Sequence, residues 1–570
     1  MLHRIRIRRR RVAARNAARN AARNAGPMLL AGLVLPFVML AATAGRVGRQ
    51  PALDTRVPVE FLALVALVSL APLAGRRWPR PLRWLIAALL LLAALVHLAD
   101  VEGPALLGRD LDLAADLGHV PSLVGLFAGA ASPWQVVAAA LAAIVVPLVL
   151  IQLTAASLGA IERGLRGLPP ALRLMPLGLA ALAVAIAGTP AGGQLVSLGT
   201  IASLDRQAAT VTDAWRFAHG DRAGFLARLG PPPVSVGDPG ARDLAALGRR
   251  DVWLIFFESY GAVLLDDPAL RPRALAALAR FQDRLAQSGV SLRSARIASP
   301  TYGGGSWLAH GTVDGGTWLA NQRLYELETT TDRPTWPGVM AKAGWQTVDI
   351  QPGLKVPLDH AAFWGFERIV GADDLQYRGP SFGWFGIPDQ YALERALALP
   401  RDPARPLFAQ IVLVSSHIPF HPVPPVVADT AGYAQDPAVA KLIATPPDWD
   451  HLEEPYLRSV EYDLTVLGDW LPRALGDRGV AIILGDHQPP ALIGHASASH
   501  DVPLHILSRD AALVRRLAGA GFADGAVPTG EIGTMAGLMP RFLAAASGPD
   551  DAAPSSTAPA PAPSAGGPTE

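Results

Sequence analysis

The chain has 570 residues, a length that at ~150 residues per domain corresponds to about three to four units. Hydrophobic residues make up 51% and charged residues 17%, with a mean hydropathy of +0.28, which excludes a disordered or collagen-like chain and argues against a wholly cytosolic enzyme. A formal net charge of +2 gives no basic field for nucleic acid, and the absence of cysteine excludes disulfides, thiolate metal sites and cysteine nucleophiles.

Residues 1–27 form a basic N-terminus carrying Arg4, Arg6, Arg8, Arg9, Arg10 and Arg11, then Arg15, Arg19 and Arg23. The last three belong to an Ala-Ala-Arg-Asn repeat over 13–24, which puts them on one slowly drifting helical stripe. A lipid-bound basic helix is one reading of it; low-complexity sequence that helps fix topology is the preferred one. Five apolar runs follow, at 28–44, 57–74, 82–98, 136–157 and 174–188, and residues 28–188 are predicted to be an all-α membrane domain of five spans. Glu60, Arg83 and His97 lie near run ends, where a charged or polar tip reaches the interface cheaply. Buried helices of a large soluble domain would carry more charge than these runs do.

Arginine placement sets the orientation. Arg76, Arg77, Arg80 and Arg83 follow the second run, and Arg163, Arg166 and Arg173 follow the fourth. The 100–133 loop instead carries Asp100, Glu102, Asp110, Asp112 and Asp116. The positive-inside rule then places the N-terminus in the cytoplasm, against the mild dissent of Arg46, Arg49 and Arg56. Five crossings put everything after residue 190 outside the cytoplasm. A cleaved signal ending at Ala42-Thr43-Ala44 is the lesser alternative, because four more runs follow it.

Residues 189–240 read as a helical connector and a linker, marked by Pro231-Pro232-Pro233 and Gly237-Asp238-Pro239-Gly240. From 241 to 545, short apolar runs at 251–257, 407–415 and 480–484 alternate with amphipathic patterns at 273–288 and 456–475. That alternation predicts an α/β domain with a mostly parallel central sheet. The Ala/Pro/Ser/Thr/Gly tail, 546–570, is expected to be disordered.

Polar residues collect where the apolar runs stop. The first run ends in Glu258-Ser259-Tyr260-Gly261, the second runs into Ser416-His417-Ile418-Pro419-Phe420-His421, and the third ends in Gly485-Asp486-His487. Ligands of open α/β sheets bind beyond the carboxyl ends of strands, so Glu258, His417, Asp486 and His487 are expected to converge. Two carboxylates and imidazole form an oxygen and nitrogen donor set suited to Mn²⁺ or Zn²⁺. A nucleophile candidate lies in Ser299-Pro300-Thr301-Tyr302-Gly303-Gly304-Gly305-Ser306. Glycines let backbone approach an anion, and a metal-held serine at a helix start can attack phosphorus. Taken alone, this string reads as a flexible loop with Ser306 as a helix cap.

Together, the five runs, the Glu-Ser after the first strand, the Gly-rich hydroxyl loop, Ser416–Phe420 and Gly485-Asp486-His487 resemble the lipoteichoic acid synthase and phosphoglycerol transferase family. That family belongs to the sulfatase-like branch of the alkaline phosphatase superfamily. Tyr456–Tyr462 and Asp501–His505 also match family segments. The resemblance covers about residues 250–510 by motif and the membrane part by architecture only.

The resemblance implies one divalent metal ion, manganese before zinc or magnesium, held by Glu258, Asp486, His487 and the nucleophile. That nucleophile matches Ser306, with Thr301 as the fallback. His417 matches a histidine on the substrate phosphate, and His500 or His495 a further site histidine. The family's Trp and Arg that grip glycerol phosphate have no matching spacing here; Lys355, His360, Trp364 and Arg368 lie nearby as substrate-binding candidates. The implied partners are a phospholipid donor and a glycan or lipid acceptor. The implied place is a bacterial-type cytoplasmic (inner) membrane, with the catalytic domain facing the periplasm or cell exterior. Phosphoethanolamine transfer, phosphodiester hydrolysis and a non-catalytic membrane scaffold are the alternatives. A sulfatase is discounted, because no Cys/Ser-x-Pro-x-Arg motif is present.

Overall fold

The computed structural model describes residues 26–40, 44–47, 50–52, 56–107, 111–120, 124, 133–233, 244–358, 360–383, 386–434, 437–493 and 499–547. The basic N-terminus with its repeat, Gly237–Gly240, His495 and the tail from 548 lie outside the described residues. The chain forms two compact units, one ending at Arg216 and the other starting at Phe217, with Ala105–Arg109 grouped with the second.

In the first unit each of the five apolar runs contains a helix among the described residues. These helices are α1 (Gly26–Leu40), α2 (Val59–Leu73), α3 (Arg80–Leu107), α4 (Pro133–Gly167) and α5 (Met175–Ala187). Among the described residues three segments are long and apolar enough to cross a membrane: Arg80–Gly103, Trp134–Gly167 and Pro170–Ala187. α2 has 15 residues, which at ~1.5 Å per residue falls short of a ~30 Å hydrocarbon core, and α1 is similarly short. The apolar window of Trp134–Gly167 buries none of its residues in the protein. Ile144 and Val145 stand 62% and 51% exposed, an arrangement stable in lipid and not in water. α1, α2 and α4 share a core around Leu40, Phe61, Leu64, Val65, Leu158 and Ile161. Two further helices follow, α6 (Gly199–Ala218) in the first unit and α7 (Arg222–Leu229) in the second.

The second unit is built on a nine-stranded sheet. Its strands are β1 (Val252–Phe257), β2 (Ser291–Ala298), β3 (Gln346–Ile350), β4 (Arg368–Val370), β5 (Leu407–Val412), β6 (Val480–Gly485), β7 (Asp501–Ser508), β8 (Ala523–Asp524) and β9 (Glu531–Thr534). The order is β8-β2-β7-β6-β1-β5-β3-β4, with β9 on β2. β6, β1, β5, β3 and β4 run parallel, while β7 is antiparallel to β6 and to β2. A parallel strand is covered on both faces and needs apolar side chains on both. In β1, Trp253, Ile255 and Phe257 join the core that holds Phe281 of α8 (Arg271–Gln287) and Tyr456 of α10 (Glu453–Leu475). Val252, Leu254 and Phe256 join the opposite core, with Trp336 and Phe542. This two-sided burial is why 251–257 reads as an unbroken apolar run. Between β2 and β3 lies a short helix, α9 (Ser306–Gly315), which carries the Gly-rich loop at its head.

Candidate metal centre

Register brings the first two carboxylates together. Phe257 pairs with Gly485 across the parallel β1–β6 ladder, so the next residues, Glu258 and Asp486, leave the sheet side by side, about 4.8 Å apart by strand spacing. On the other flank Phe256 pairs with Val412 of β5, and the chain continues to Ser416, whose Oγ donates to the Glu258 carbonyl at 2.7 Å. Three adjacent strand ends therefore supply Glu258, Asp486-His487 and His417.

Asp486 is held by backbone. Its Oδ1 accepts the amides of Ser259 and His487, each at 2.8 Å. Ser259 reaches that position through a left-handed turn, φ +54°, a conformation costing a non-glycine residue about 1 kcal/mol. Asp486 Oδ2 is buried and has no hydrogen-bond partner. It lies 3.5 Å from His487 Nε2 and 3.8 Å from His310 Nε2. His487 Nδ1 stands 2.7 Å from the Gln488 carbonyl. A carbonyl only accepts, so Nδ1 carries the proton and Nε2 presents its lone pair to the cluster. Glu258 Oε1 is 3.6 Å from that Nε2.

Ser306 opens α9 directly opposite. The three preceding glycines, Gly303, Gly304 and Gly305, all adopt positive φ, a backbone path that side chains resist. It delivers Ser306 Oγ to 3.1 Å from His487 Nε2 and 3.3 Å from Glu258 Oε2.

The donor set fits a divalent cation. Glu258, Asp486 and His487 each offer a ligand atom within 4.8 Å of the others. Glu258 is 4% exposed and Asp486 fully buried, and among the described residues no Lys or Arg forms an ion pair with either. Buried carboxylates without a counter-charge are costly, and an orphaned Oδ2 facing an imidazole lone pair is what a cation would satisfy. Burial first, then the charge of Glu258, pushes the Asp486 carboxyl up to about 6. Burial opposes the charged form of His487, but the carboxylates of Asp486 and Glu258 outweigh it and its pKa is raised. Burial and neighbouring negative charge therefore both act on the cluster, burial leading for Asp486 and the carboxylates prevailing for His487.

His417 donates Nδ1–H to the Ile418 carbonyl at 2.7 Å, which leaves Nε2 its lone pair. Burial pushes its pKa down to about 4, partly opposed by the Ile418 bond, while His487 and Asp486 are close enough to act on it with opposite signs. Thr301 is buried, with its Oγ1 3.5 Å from Ser299 Oγ. Ser299 Oγ in turn donates to the Asp486 carbonyl at 2.6 Å, so the 299–301 turn braces the loop. His500 Nδ1 lies 3.2 Å from the Ser299 carbonyl, and its ring is beside Tyr302.

The remaining sequence candidates sit elsewhere. Trp364 is 3% exposed and packs with Leu319, Leu324 and Tyr325. Lys355 is exposed after β3, and Arg368 opens β4, the terminal strand of the sheet.

Two contributors escaped the sequence reading. His310 lies one helical turn after Ser306 on α9, tilted on the Phe256 ring at 4.2 Å between centroids, with its buried Nε2 unpartnered. The i, i+4 spacing of Ser306 and His310 was the available signal. Tyr456 of α10 donates its hydroxyl to the Ser259 carbonyl at 2.9 Å and so pins the left-handed turn.

No family model matches the chain, and no curated protein matches it. Among solved structures the chain is similar to the lipoteichoic acid synthase LtaP from Listeria monocytogenes, at 16% identity over 57% of this chain and 78% of that one, TM-score 0.35. It is similar to the Streptococcus pyogenes phosphoglycerol transferase GacH in complex with sn-glycerol-1-phosphate, at 13% identity over 51% of this chain and 74% of that one, TM-score 0.31. It is also similar to the integral membrane lipooligosaccharide phosphoethanolamine transferase A (EptA) from Neisseria meningitidis, at 14% identity over 91% of this chain and 95% of that one, TM-score 0.42.

Proposed function

We propose that the protein is a membrane-anchored, divalent-metal-dependent transferase that moves a phospholipid headgroup, phosphoglycerol, to a glycan or lipid acceptor through a phospho-Ser306 intermediate. It would sit in a bacterial-type cytoplasmic membrane, the three long apolar segments of the first unit crossing it and the shorter α1 and α2 completing the five spans only if their flanking residues extend them, with the second unit on the outer side. The observation that carries the reading is the Ser306 hydroxyl at 3.1 Å from His487 Nε2 and 3.3 Å from Glu258 Oε2, at the head of a helix.

Glu258, Asp486, His487 and Ser306 would hold one divalent ion, manganese before zinc or magnesium. When bound, such an ion lowers the pKa of a serine hydroxyl and offsets charge on a phosphate. Ser306 Oγ, its proton released to solvent water, forms the bond to phosphorus as the bond from phosphorus to the diacylglycerol oxygen breaks. Burial holds the pKa of His417 near 4, so its imidazole is neutral at pH 7; a phosphodiester beside it favours a proton on Nε2. That proton passes to the departing diacylglycerol oxygen. In the second half of the cycle the acceptor hydroxyl gives its proton to the same Nε2 and its oxygen bonds to phosphorus as the bond from phosphorus to Ser306 Oγ breaks, which returns Ser306 as the alkoxide for the next turn. His500 and Lys355, the latter beyond the carboxyl end of β3, are the side chains proposed to meet the headgroup; Arg368, level with Trp253 in the sheet register, lies too far down the sheet to join them, and Trp364, buried among apolar neighbours, would act only by packing.

The test is mass analysis of the full chain mixed with phosphatidylglycerol or phosphatidylethanolamine vesicles and Mn²⁺. A phosphoglycerol adduct is expected on Ser306, absent in Ser306→Ala, with about one bound ion per chain that is lost in Asp486→Ala. An adduct on Thr301, or metal content unchanged in Asp486→Ala, would overturn the site. Loading from phosphatidylethanolamine alone would overturn the headgroup; with headgroup-labelled phosphatidylglycerol and a glycan acceptor added, label released only to water would overturn transfer.

A further inference from the structure

α6 is amphipathic the wrong way round for a protein surface. Its packed face is polar. Ser203 Oγ meets His97 Nδ1 at 2.8 Å, Arg206 pairs with Asp100, and Gln207 Nε2 donates to Asp100 Oδ1 at 2.8 Å and to the Leu111 carbonyl at 2.7 Å. Ser203 is fully buried and Thr200 and Gln207 are 4% exposed. The flank beside that face is apolar and open: Ile201 is 49% exposed, Leu204 40%, Val211 48% and Trp215 61%. At ~100° per residue these four fall within roughly 80° of arc, and Asp205, Asp213 and Arg216 lie on the flank away from it. A helix in water buries its apolar stripe and exposes its polar one.

The anchoring fixes where α6 lies. The amide of Ile201 donates to Glu60 Oε1 at 2.9 Å, in the first turn of α2. Val196–Ser197, just before α6, pairs with Val57–Pro58, just before α2. His97 and Asp100 lie near the end of the apolar stretch Arg80–Gly103 of α3. α6 is therefore tied to the point where α2 begins and α3 ends, which is one face of the helical bundle. Beside His97, Leu95 and Leu98 of α3 are themselves 50% and 43% exposed, so the open stripe of α6 continues an apolar surface already present on a spanning helix.

We infer that α6 is an interfacial helix that lies in the outer boundary of the bilayer, its Ile201–Leu204–Val211–Trp215 flank among acyl chains and its Asp205–Asp213–Arg216 flank in the headgroup water. The occupant of the stripe is phospholipid. The inference rests on the first unit spanning a membrane. It adds that the connector to the second unit is a membrane-binding element in its own right, although its hydropathy is too low for a span.

The chain has no cysteine, so single labels are unambiguous. In the full chain reconstituted into phosphatidylglycerol/phosphatidylethanolamine bilayers, nitroxides are placed at Leu204→Cys, Val211→Cys and Ala209→Cys, and at Val145→Cys in the middle of α4. Ala209 is exposed and stands roughly 160° round the helix from Val211. Collision with oxygen and with a water-soluble nickel chelate is then measured at each. The expected result is an oxygen-to-nickel ratio at 204 and 211 several-fold above that at 209 and below that at 145. A lipid signature at 145 with equal ratios at 209 and 211 overturns the inference and leaves the membrane reading standing. Labels at 204 and 211 shielded from both reagents mean that protein covers the stripe, a second copy included, and also overturn it. Loss of the lipid signature at 145 overturns the membrane reading itself.

Discussion

At the residue scale, the cluster is organised by which lone pair each group has left after its own backbone bonds are made. Asp486 spends Oδ1 on two amides and His487 spends Nδ1 on a carbonyl, so Oδ2 and Nε2 point inward by default. His310 adds a second imidazole on the far side of Asp486, 3.8 Å from Oδ2. Burial pushes it down to about 4 despite the nearby carboxylate of Asp486, so it is a neutral donor at pH 7. His310→Gln is expected to weaken divalent-ion affinity by roughly 10-fold, the typical cost of losing a group that orients a metal ligand. Chelator competition measures it; an unchanged Kd would make His310 a packing residue on Phe256. The sequence singled out Glu258, Asp486 and His487 because each follows a strand, and Ser306 through the family resemblance, since its glycine string alone reads as a capped loop. It did not single out His310, because a histidine inside a helical pattern has no visible direction until that helix is docked.

At the element scale, the site depends on a helix that contributes no ligand. α10 is long and amphipathic, and its limits were readable from periodicity to within about three residues. What periodicity could not reveal is that Tyr456 bonds the Ser259 carbonyl and stands 3.5 Å from the Gly261 amide. That bond holds the turn whose own amide holds Asp486. Tyr456→Phe keeps the ring and removes the hydroxyl, leaving a buried carbonyl unpaired at a cost of about 1–3 kcal/mol. The expected outcome is a lower unfolding midpoint in denaturant together with weaker metal binding. A loss of stability with metal affinity intact would separate the helix from the site.

At the scale of the whole molecule, the second unit buries several carboxyls away from the candidate metal centre. Asp349 is pushed up to about 7 by burial, against bonds from Gln351 and Gln410. Glu328 is pushed from an ordinary 4.5 to about 7 by burial, with Thr317 and Arg333 opposing. Folded Glu328 therefore keeps a proton that the unfolded chain releases between those values. Stability is fully present below about 4.5 and falls as pH rises to about 7, by about 3 kcal/mol at most for this group. Glu328→Gln is expected to unfold at the parent temperature at pH 4.5 and a few degrees higher at pH 8. A pH-independent shift in thermal unfolding would remove ionisation as the cause.

Local sequence determined the elements of this protein. A run apolar on every side must be shielded on every side, by lipid or by two layers of helix, so the spanning helices and the parallel strands were legible. Strand ends marked the polar loops because chain leaving a buried sheet must turn to polar residues. Only the tertiary structure decided which ends are neighbours: the order β6-β1-β5 depends on how helices cross over the sheet, and no local pattern encodes that. It also put Trp364 in the core and turned the apolar flank of α6 outward, since burial is settled by what packs against a face. The Glu258–Asp486–His487 cluster is the product of both, its residue types written in short motifs and its distances set by a register that only folding fixes.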